Sequence, residues 1–308
     1  MGPLLFLLYV NDLPNCSDLL DPIMFADDTN LFFKHKNIQT LFSTVNRELS
    51  KIHQWFLSNK LSLNVKKTKY SLFHKVNKTD DIPLLLPKLV IKNNEIERVE
   101  SIKFLGVLLD ECMSWKNHIN HIENKISKSI GLLYRAKSYL NKNSLLALYY
   151  LYIHTYLNYG NIVWGSSNKT NLAKLLIQQK HAIRIINNKG RFEHTSELFK
   201  AQKILNIFKL NIFNVSIFMH KINTKTAPYT FTQHFQRIVH KYPTKYSNSN
   251  YKKPKVKLAK TKFRISIRGP SIWNNFISKS EKEIKSLLLF KSRVKLKLLQ
   301  YDNEMMFF

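Results

Sequence analysis

Two adjacent carboxylates lie between two apolar runs near the start of the chain, and this pattern restricts the local fold more than any other. Asp27 and Asp28 follow the run at residues 22–24, after Phe25 and Ala26, and precede the run at residues 29–33. Runs of β-forming residues separated by acidic residues are typical of a tight β-hairpin, because Asp tolerates the backbone angles of turns. The sequence therefore predicts a hairpin that carries both carboxylates at its tip.

Carboxylates in that position suit a magnesium site. Proteins hold Mg²⁺ through one or two carboxylates together with substrate phosphates. In nucleotidyl transfer, two such ions about 3.5–4 Å apart activate the attacking oxygen and stabilise the leaving one. A solvated surface turn gives the same pattern, since acidic pairs are ordinary turn residues. The pair alone leaves both interpretations open, and the surrounding sequence has to decide between them.

The charge of the chain is unevenly distributed. Its 308 residues are 44% hydrophobic, which is enough for two domains with apolar cores. The net charge is +29, but residues 1–110 carry 14 basic and 12 acidic side chains, a net charge of +2. The remaining 198 residues carry 35 basic and 8 acidic side chains, a net charge of +27. We therefore expect a strongly basic C-terminal part.

One stretch of that part has no acidic residue at all. Between Glu197 and Glu281 there are 17 Lys or Arg residues and no Asp or Glu. The aromatic residues interleaved with them include Tyr229, Phe231, Phe235, Tyr242, Tyr246, Tyr251 and Phe263. Basic side chains neutralise phosphates and aromatic faces stack on unpaired bases, so the stretch favours a nucleic-acid partner. An AT-rich genome also enriches Lys, Asn, Ile, Phe and Tyr, although it explains extra lysine better than missing acid.

The cysteines and histidines indicate neither a disulfide framework nor a metal cluster. Cys16 and Cys112 are too few and too far apart for either, so we expect a reducing intracellular compartment, the cytoplasm, the nucleus or both. His118 and His121 lie three residues apart in a predicted helix, but no Cys or acidic partner stands at a familiar spacing. We interpret them as surface histidines.

The apolar start of the chain predicts no membrane segment. Residues 1–10 are shorter than the ~20 residues that a membrane span needs, and they lack a basic leader and a small-residue cleavage site. No other stretch is long and apolar enough to cross a bilayer.

Hydrophobic periodicity predicts an α+β part followed by a basic helical part. The α+β part has a helix at 38–56, a turn at 64–67 leading into a strand, a hairpin across Asn93-Asn94 and a strand at 102–110. Helices follow at 119–140, 144–159, 171–187, 197–221 and 281–299, with a linker or nucleic-acid arm at 224–262. The predicted domains are 1–110, 111–223 and 224–308.

Seven ordered motifs carry a family resemblance. They are GPLLFLLYVNDLP at 2–14, FADDT at 25–29, LNVKKT at 63–68, FLGVLLD at 104–110, YGNIVWG at 159–165, QQKHAIRII at 178–186 and RGPSIWN at 268–274. In order and spacing they resemble the reverse transcriptases of LINE-type, jockey-like non-LTR retrotransposons and the region that follows the polymerase in these elements. The resemblance covers essentially the whole chain and makes a chance acidic turn improbable.

The resemblance implies a fold and an activity. The fold is part of a right-hand polymerase palm, an antiparallel sheet with packed helices, followed by a helical thumb and a basic C-terminal region. The activity is RNA-templated DNA synthesis from deoxynucleoside triphosphates on an RNA template and a DNA primer. Its cofactor is Mg²⁺, with Mn²⁺ as an alternative.

The resemblance also assigns roles to individual residues. Asp27 is the main metal-binding carboxylate and Asp28 its neighbour at the metal site. Lys67 corresponds to a palm lysine beside the nucleotide, although a solvated lysine at a strand end explains it equally well. Phe104 and Gly106 fall in the strand turn that grips the primer. Phe104 is alternatively a core residue, and Gly106 permits a close backbone approach.

The chain departs from the family pattern in one respect, and this departure decides which activity we expect of the 308 residues alone. In the family, a strand with a third catalytic Asp, the fingers elements and a Gln-Gly segment precede the motif at 2–14, and an endonuclease is encoded further upstream. Asp12, Asp18 and Asp21 lie in no apolar strand pattern that would replace that Asp. We therefore expect a C-terminal polymerase fragment that is inactive alone and exposes sheet edge and apolar helix faces. The alternative is a residual basic nucleic-acid-binding module without catalysis.

Overall fold

The chain folds into two compact units, Met1–Met113 and Ser114–Phe308. A computed structural model describes residues 1–75, 83, 85–238, 249–255 and 264–301. The first unit combines helices with short strands, and the described part of the second is almost entirely helical. The predicted α+β class is confirmed at this level, while the division at residue 224 stays a prediction.

The described part of the first unit contains two α-helices and eight short strands. The helices are α1 (Gly2–Tyr9) and α2 (Ile38–Ser58), and a short 3₁₀ helix spans Leu13–Cys16. The strands are β1 (Asp21–Phe25), β2 (Asp28–Phe32), β3 (Lys69–Tyr70), β4 (Val90–Ile91), β5 (Asn94–Glu95), β6 (Glu97–Arg98), β7 (Ser101–Phe104) and β8 (Val107–Asp110). β1–β2, β4–β5 and β7–β8 are antiparallel pairs and β3–β6 is a parallel pair. In the described residues, the strands thus form four two-stranded sheets.

Helix α2 organises the core of this unit. The Asn37 side chain accepts a hydrogen bond from the Thr40 backbone N–H and so caps its N-terminus. The spacing of its apolar residues predicted the helix correctly. One part of its apolar face packs Phe42 and Leu49 against the segment around β4 and β5. The next turn packs Ile52 against Leu13 and Leu20, just ahead of β1.

One hairpin prediction and one strand prediction in this unit were wrong in detail. The β4–β5 turn is Lys92-Asn93, with φ of 51° and 61°, one residue earlier than predicted. The strand predicted at 102–110 is the β7–β8 hairpin, because Leu105 and Gly106 have φ of 43° and 83° and reverse the chain. Two consecutive residues with positive φ match the right-handed twist of the paired strands.

Helix α1 leaves its apolar side chains exposed. Leu4, Leu5, Leu7 and Leu8 are all exposed, and no residue of the helix is buried. The Tyr9 hydroxyl donates a hydrogen bond to the Asn59 carbonyl at the end of α2. Among the described helices, none has the length and hydropathy of a membrane span.

The described part of the second unit consists of helices. They are α3 (Lys116–Ala136), α4 (Lys142–Tyr149), α5 (Thr155–Asn158), α6 (Asn161–Trp164), α7 (Lys169–Ile186), α8 (Ser196–Ala201), α9 (Ile207–Asn223), α10 (Tyr229–Thr232), α11 (Ile265–Asn275), α12 (Lys279–Lys282) and α13 (Leu287–Gln300). A π-helical segment, Tyr150–His154, joins α4 to α5. Helix α3 packs along α7, and α9 contacts α7, α11 and α13. Helix α9 is buried on several sides and forms the centre of this unit.

The sequence did not predict helix α11. Gly269-Pro270 is a usual helix-breaking pair, yet Pro270 lies inside the helix. The glycine is needed for packing, because a Cβ at Gly269 would lie 2.7 Å from the Met219 sulfur of α9. Three other helices also differ from the prediction. The one predicted at 119–140 ends at Ala136. The one predicted at 197–221 is divided into α8 and α9, and the one predicted at 281–299 is divided into α12 and α13.

The QQKHAIRII motif supplies a buried polar link in this core. The Gln179 Nε2 donates to the Tyr149 Oη at 2.7 Å and to the Leu205 carbonyl at 3.0 Å. Its Oε1 accepts from the Ile207 backbone N–H at 3.0 Å. Gln179 therefore holds α4, α7 and the start of α9 together.

The predicted linker at 224–262 lies partly outside the described residues. Its described part contains α10 and a β-bridge between Arg237 and Tyr251. Phe235 and Tyr251 are buried, so the expectation that they stack on nucleic-acid bases was wrong. Tyr229 and Phe231 are exposed, as that expectation requires. The remaining aromatic residues, Tyr242, Tyr246 and Phe263, lie outside the described residues.

Candidate active site

The predicted hairpin at Asp27 and Asp28 is confirmed, with its turn one residue earlier than the acidic pair. Strands β1 and β2 pair in a register that closes at Phe25 and Asp28. The two turn residues are therefore Ala26 and Asp27, and Asp28 is the first residue of β2. Both Asp residues are exposed at the tip.

The backbone of this turn is strained at Ala26. Its φ is +52°, a region that glycine adopts freely and alanine adopts at a cost. Such a residue costs about 1–3 kcal/mol and persists only where the surrounding structure fixes it, often at functional sites. The strained residue immediately precedes Asp27, so the fold maintains an unfavourable backbone at the position that presents the first carboxylate.

The two faces of the hairpin differ in their surroundings. On one face, Met24 and Leu31 pack against the cluster of Leu20 and Ile52. On the other face, Ile23 and Phe25 are 49% and 63% exposed. Cross-strand partners lie on the same face of a sheet, so Asp28, the partner of Phe25, projects from the exposed face. The hairpin is thus anchored on one face and open to solvent on the other.

A buried carboxylate of α2 fixes the segment that enters the hairpin. Glu48 is fully buried, and its Oε2 accepts hydrogen bonds from the Ser17 hydroxyl at 2.8 Å and the Lys51 ammonium at 3.0 Å. The Ser17 Oγ in turn accepts from the Leu20 backbone N–H at 3.1 Å, one residue before β1. The hydrogen bond from Lys51 contributes most to holding the pKa of Glu48 below its usual range. We did not predict this link, although a charged residue between Val45 and Ile52 on the apolar face was a detectable signal.

The structure brings the hairpin of Phe104 and Gly106 next to the acidic one. The rings of Phe32 and Phe104 meet edge to face, with centroids 6.3 Å apart. Phe104 is half-buried in this contact, and Gly106 adopts the positive φ that the β7–β8 turn requires. Leu105, between them, is exposed. Whether this turn grips a primer stays a prediction.

Lys67 lies in a separate exposed turn. Its backbone N–H donates to the Asn64 carbonyl at 3.1 Å, in the turn that leads into β3. Among the described residues, its ammonium forms no ion pair with Asp27 or Asp28. The structure thus gives Lys67 a surface position, and its role beside a nucleotide stays a prediction.

The chemistry of the acidic tip fits a hard divalent cation. In the described part of the chain, neither the Asp27 carboxylate nor the Asp28 carboxylate takes part in a hydrogen bond or an ion pair. Their carboxylate oxygens are accessible and are the ligand type that Mg²⁺ and Mn²⁺ prefer. No group of three or more His, Cys, Asp or Glu side chains suited to a metal occurs among the described residues. The tip therefore offers two carboxylates and open positions for further oxygen ligands.

The prediction that both helical histidines lie on the surface was wrong for His118. Its ring is 3% exposed and meets Trp164 edge to face, with centroids 5.5 Å apart. Burial, with a smaller contribution from His121, lowers the pKa of His118 to about 4. His118 lies four residues before Ile122 on the apolar face of α3, so the helical spacing already contained this information. His121 is exposed, as predicted.

Comparisons with known proteins agree with the motifs. The family of reverse transcriptase (RNA-dependent DNA polymerase) matches residues 1–109. The RNA-directed DNA polymerase from the mobile element jockey of Drosophila melanogaster is 23% identical over 214 residues, which cover 66% of this chain and 23% of that protein. The probable RNA-directed DNA polymerase from the transposon X-element of the same species is 21% identical over 215 residues, with 68% and 23% covered.

The chain therefore spans about a quarter of the length of these relatives. No solved structure gives a significant match. The relatives extend the similarity beyond residue 109, where the further motifs of the helical unit lie. Residues 1–109 thus match the reverse transcriptase family, and over about two thirds of its length the chain is similar to the RNA-directed DNA polymerases of jockey-like mobile elements.

Proposed function

We propose that Asp27 and Asp28 hold the divalent metal of an RNA-directed DNA polymerase. The observation that carries this proposal is the exposed acidic hairpin within the family match at residues 1–109. The proposed substrates are deoxynucleoside triphosphates, an RNA template and a DNA primer, with Mg²⁺ or Mn²⁺ as the cofactor. The proposed compartment is intracellular, the cytoplasm, the nucleus or both.

The side chains around the tip have separate tasks in this proposal. A metal bound there would activate the attacking oxygen and stabilise the leaving phosphate, as in two-metal nucleotidyl transfer. Asp27 and Asp28 would bind this metal and orient it. The hydrogen bond between Ser17 and Glu48 of α2 holds the segment that enters their hairpin. The turn at Phe104 and Gly106 positions the primer, and Lys67 approaches the nucleotide. The first unit then serves as part of a palm and the helices that follow as a thumb.

We also propose that these 308 residues do not synthesise DNA by themselves. The family uses a third metal-binding Asp from another strand, and the hairpin contributes two carboxylates. Productive chemistry then needs the upstream polymerase portion, and integration of the product needs the endonuclease of the element. This proposal separates the identity of the site from the competence of the isolated chain.

Primer extension tests both statements. The assay uses an RNA template, a DNA primer and Mg²⁺ with the 308 residues alone and with the same residues fused behind the aligned upstream portion of the jockey polymerase. We expect no incorporation by the chain alone and incorporation by the fusion. Asp27→Asn should reduce the fusion's rate at least about 100-fold, because a lost metal ligand removes several kcal/mol of transition-state stabilisation.

Asp18→Asn is the matched control, since Asp18 is an exposed acidic residue of the same unit outside the hairpin. It should leave the rate of the fusion within about twofold. Equal rates for the Asp27→Asn fusion and the unchanged fusion would refute the proposed site. Incorporation by the 308 residues alone that disappears with Asp27→Asn would refute the proposed inactivity.

A second candidate function is nucleic-acid binding without catalysis. The observation in its favour is the net charge of +27 beyond residue 110 together with the acid-free stretch between Glu197 and Glu281. It predicts micromolar affinity for single strands that falls steeply with salt. Fluorescence anisotropy with the whole chain tests it, and unchanged affinity in Asp27→Asn would separate this binding from the metal site.

A further inference from the structure

A groove lies between two helices of the second unit and has no assigned role. Its lining residues are Ser127, Ile130, Gly131, Tyr134 and Arg135 of α3 and Gln178 and His181 of α7. Its volume is about 430 Å³, within the range of sites that bind small molecules or single chemical groups. We call it the α3–α7 groove.

The groove is open above Gly131. A Cβ built at this position would meet no heavy atom within 4 Å, so the space above the glycine is free. The base of the groove is well packed, because Ile130 and Leu133 of α3 and Ile183 of α7 are buried in the helical core. A preformed groove binds its ligand without the entropic cost of ordering the side chains that line it.

The walls combine an aromatic face, a cation and an amide. The Tyr134 ring is 59% exposed, and the Lys137 ammonium lies 4.6 Å from its centroid. Arg135, the next residue on α3, is also exposed. Gln178 adds a side chain that both donates and accepts hydrogen bonds, as base edges require. This set suits a ligand with a flat ring next to a negative charge.

The excess of positive charge around the groove favours an anionic ligand. Between Glu123 and Glu193 the sequence contains 11 Lys or Arg residues and no Asp or Glu. The Glu193 carboxylate is already engaged, since it accepts from the Gly190 N–H at 2.8 Å and pairs with Lys189 at 3.2 Å. Burial and the charges of Arg191 and Arg184 lower the pKa of His181 at the groove wall. An acidic ligand would meet no described carboxylate in the lining.

We propose that the α3–α7 groove binds single-stranded nucleic acid, with a base against Tyr134 and Gln178 and the adjoining phosphate on Arg135 and Lys137. Stacking on an aromatic face and neutralising phosphates are the two interactions that hold single strands without sequence preference. The site involves none of the residues proposed for catalysis. It rests on the second candidate function, nucleic-acid binding, and names the residues of the helical unit that hold the strand.

The test is fluorescence anisotropy of labelled dodecamers of uridylate and thymidylate with the whole chain. All variants carry Asp27→Asn, and neither Mg²⁺ nor nucleotides are added, so the result does not depend on catalysis. Tyr134→Leu should weaken binding about tenfold while Tyr134→Phe retains it, because only the former removes the aromatic face. Gly131→Leu, which fills the open space without adding an aromatic face, should also weaken binding about tenfold.

Charge is tested with a matched pair on the same helix. Arg135→Ala should weaken binding and reduce the slope of log affinity against log salt by about 0.7, the value for one phosphate contact on a single strand. Lys128→Ala removes an equal charge from an exposed position outside the groove lining and should change the slope by less than half of that. Equal effects of the two substitutions would overturn the assignment of a phosphate to Arg135.

Photo-crosslinking keeps the proposal testable if a variant fails to fold. A strand with 4-thiouridine should crosslink to the unaltered groove at Tyr134 or its lining neighbours, and a crosslink map that avoids α3 and α7 would refute the site. Wild-type affinity in both Tyr134→Leu and Gly131→Leu would refute it as well. If a poly-glutamate peptide displaces the strand at equal charge concentration, the groove recognises acidic polymers in general and the nucleic-acid assignment is wrong.

Discussion

The two units of this chain place charged side chains at their surfaces in different ways. In the first unit, Asp27 and Asp28 stand on a two-stranded hairpin, and the buried clusters around α2 are small. In the second unit, cationic side chains project from helices that share a core with fully buried Trp164, Trp273 and Phe290. The comparison indicates that the acidic site depends on local turn geometry, whereas the basic surface depends on long-range helix packing.

Backbone strain is distributed in the same way. In the first unit, four of the six described non-glycine residues with positive φ form hairpin turns, namely Ala26, Lys92, Asn93 and Leu105, while Lys60 follows α2 and Met113 follows β8. In the second unit they lie at helix boundaries, such as Trp115 before α3 and Asn188 after α7. Strain at a hairpin tip shapes a site, while strain at a helix end only redirects the chain.

The largest expected effect concerns the helical core. Trp273→Ala should destabilise the second unit by about 4 kcal/mol, because it removes a fully buried aromatic side chain and leaves a cavity. Urea unfolding followed by circular dichroism measures the loss. Tyr139→Ala, at an exposed residue of the same unit, should cost less than about 0.5 kcal/mol. A cost below about 1.5 kcal/mol for Trp273→Ala would contradict the picture of a tightly packed helical unit.

Two neighbouring glutamines test how much more stability a core position contributes than a surface position within that unit. Gln179→Ala should cost about 3 kcal/mol, since it leaves the Leu205 carbonyl and the Ile207 N–H buried without their partner. Gln178→Ala, one residue earlier on the groove wall, should cost less than about 0.5 kcal/mol. Chemical denaturation of both variants gives the two values, and equal costs would show that the buried link does not hold the helices together.

His118 makes the helical unit sensitive to acid. Its pKa of about 4 in the folded chain lies below the ordinary 6.5, so the unfolded state takes up a proton at a higher pH than the folded state does. The corresponding stability is complete above pH 6.5 and decreases as the pH falls towards 4, by about 2 kcal/mol at pH 5. Unfolding free energies at pH 7 and pH 5 measure this, with His118→Phe as the control. A His118→Phe variant that loses as much stability as the unchanged chain over this range would rule out His118 as the cause.

The smallest expected effect is the change in stability on replacing an alanine by glycine, and its sign is opposite in the two units. Ala26→Gly should stabilise the first unit by about 1 kcal/mol, because glycine adopts the positive φ of the hairpin tip without strain. Ala147→Gly, at an exposed position inside α4, should destabilise the second unit by about 1 kcal/mol. Thermal unfolding of both variants distinguishes the signs. A loss of stability in Ala26→Gly would show that the turn is not strained.

Regular periodicity made part of this fold predictable from the sequence. The apolar spacing in α2 gave its limits to within two residues, and the runs around Asp27 and Asp28 gave the β1–β2 hairpin. Periodicity alone missed the β7–β8 turn, because Leu105 adopts a positive φ that its residue type does not suggest. Helix α11 was missed because packing against Met219 overrides the helix-breaking tendency of Gly269-Pro270.

The site was predictable only in part. The acidic pair and its hairpin followed from local sequence, and the neighbouring Phe104 turn followed from the family resemblance. Glu48, which fixes the entry to the hairpin, was not predicted because its partner Ser17 lies 31 residues away and no local pattern joins them. His118 was assigned to the surface because its residue type was given more weight than its position on the apolar face of α3. The metal at Asp27 and Asp28 remains a proposal.

Manganese binding to the isotopically labelled chain tests the central claim most directly, because Mn²⁺ accepts the same oxygen ligands and broadens the NMR signals of nearby amides. The account predicts that the amides of residues 26–29 broaden at the lowest Mn²⁺ concentration. It also predicts that this effect is lost in Asp27→Asn with Asp28→Asn and retained in Asp18→Asn. Amides at the tip that broaden no earlier than those around other exposed carboxylates would contradict it.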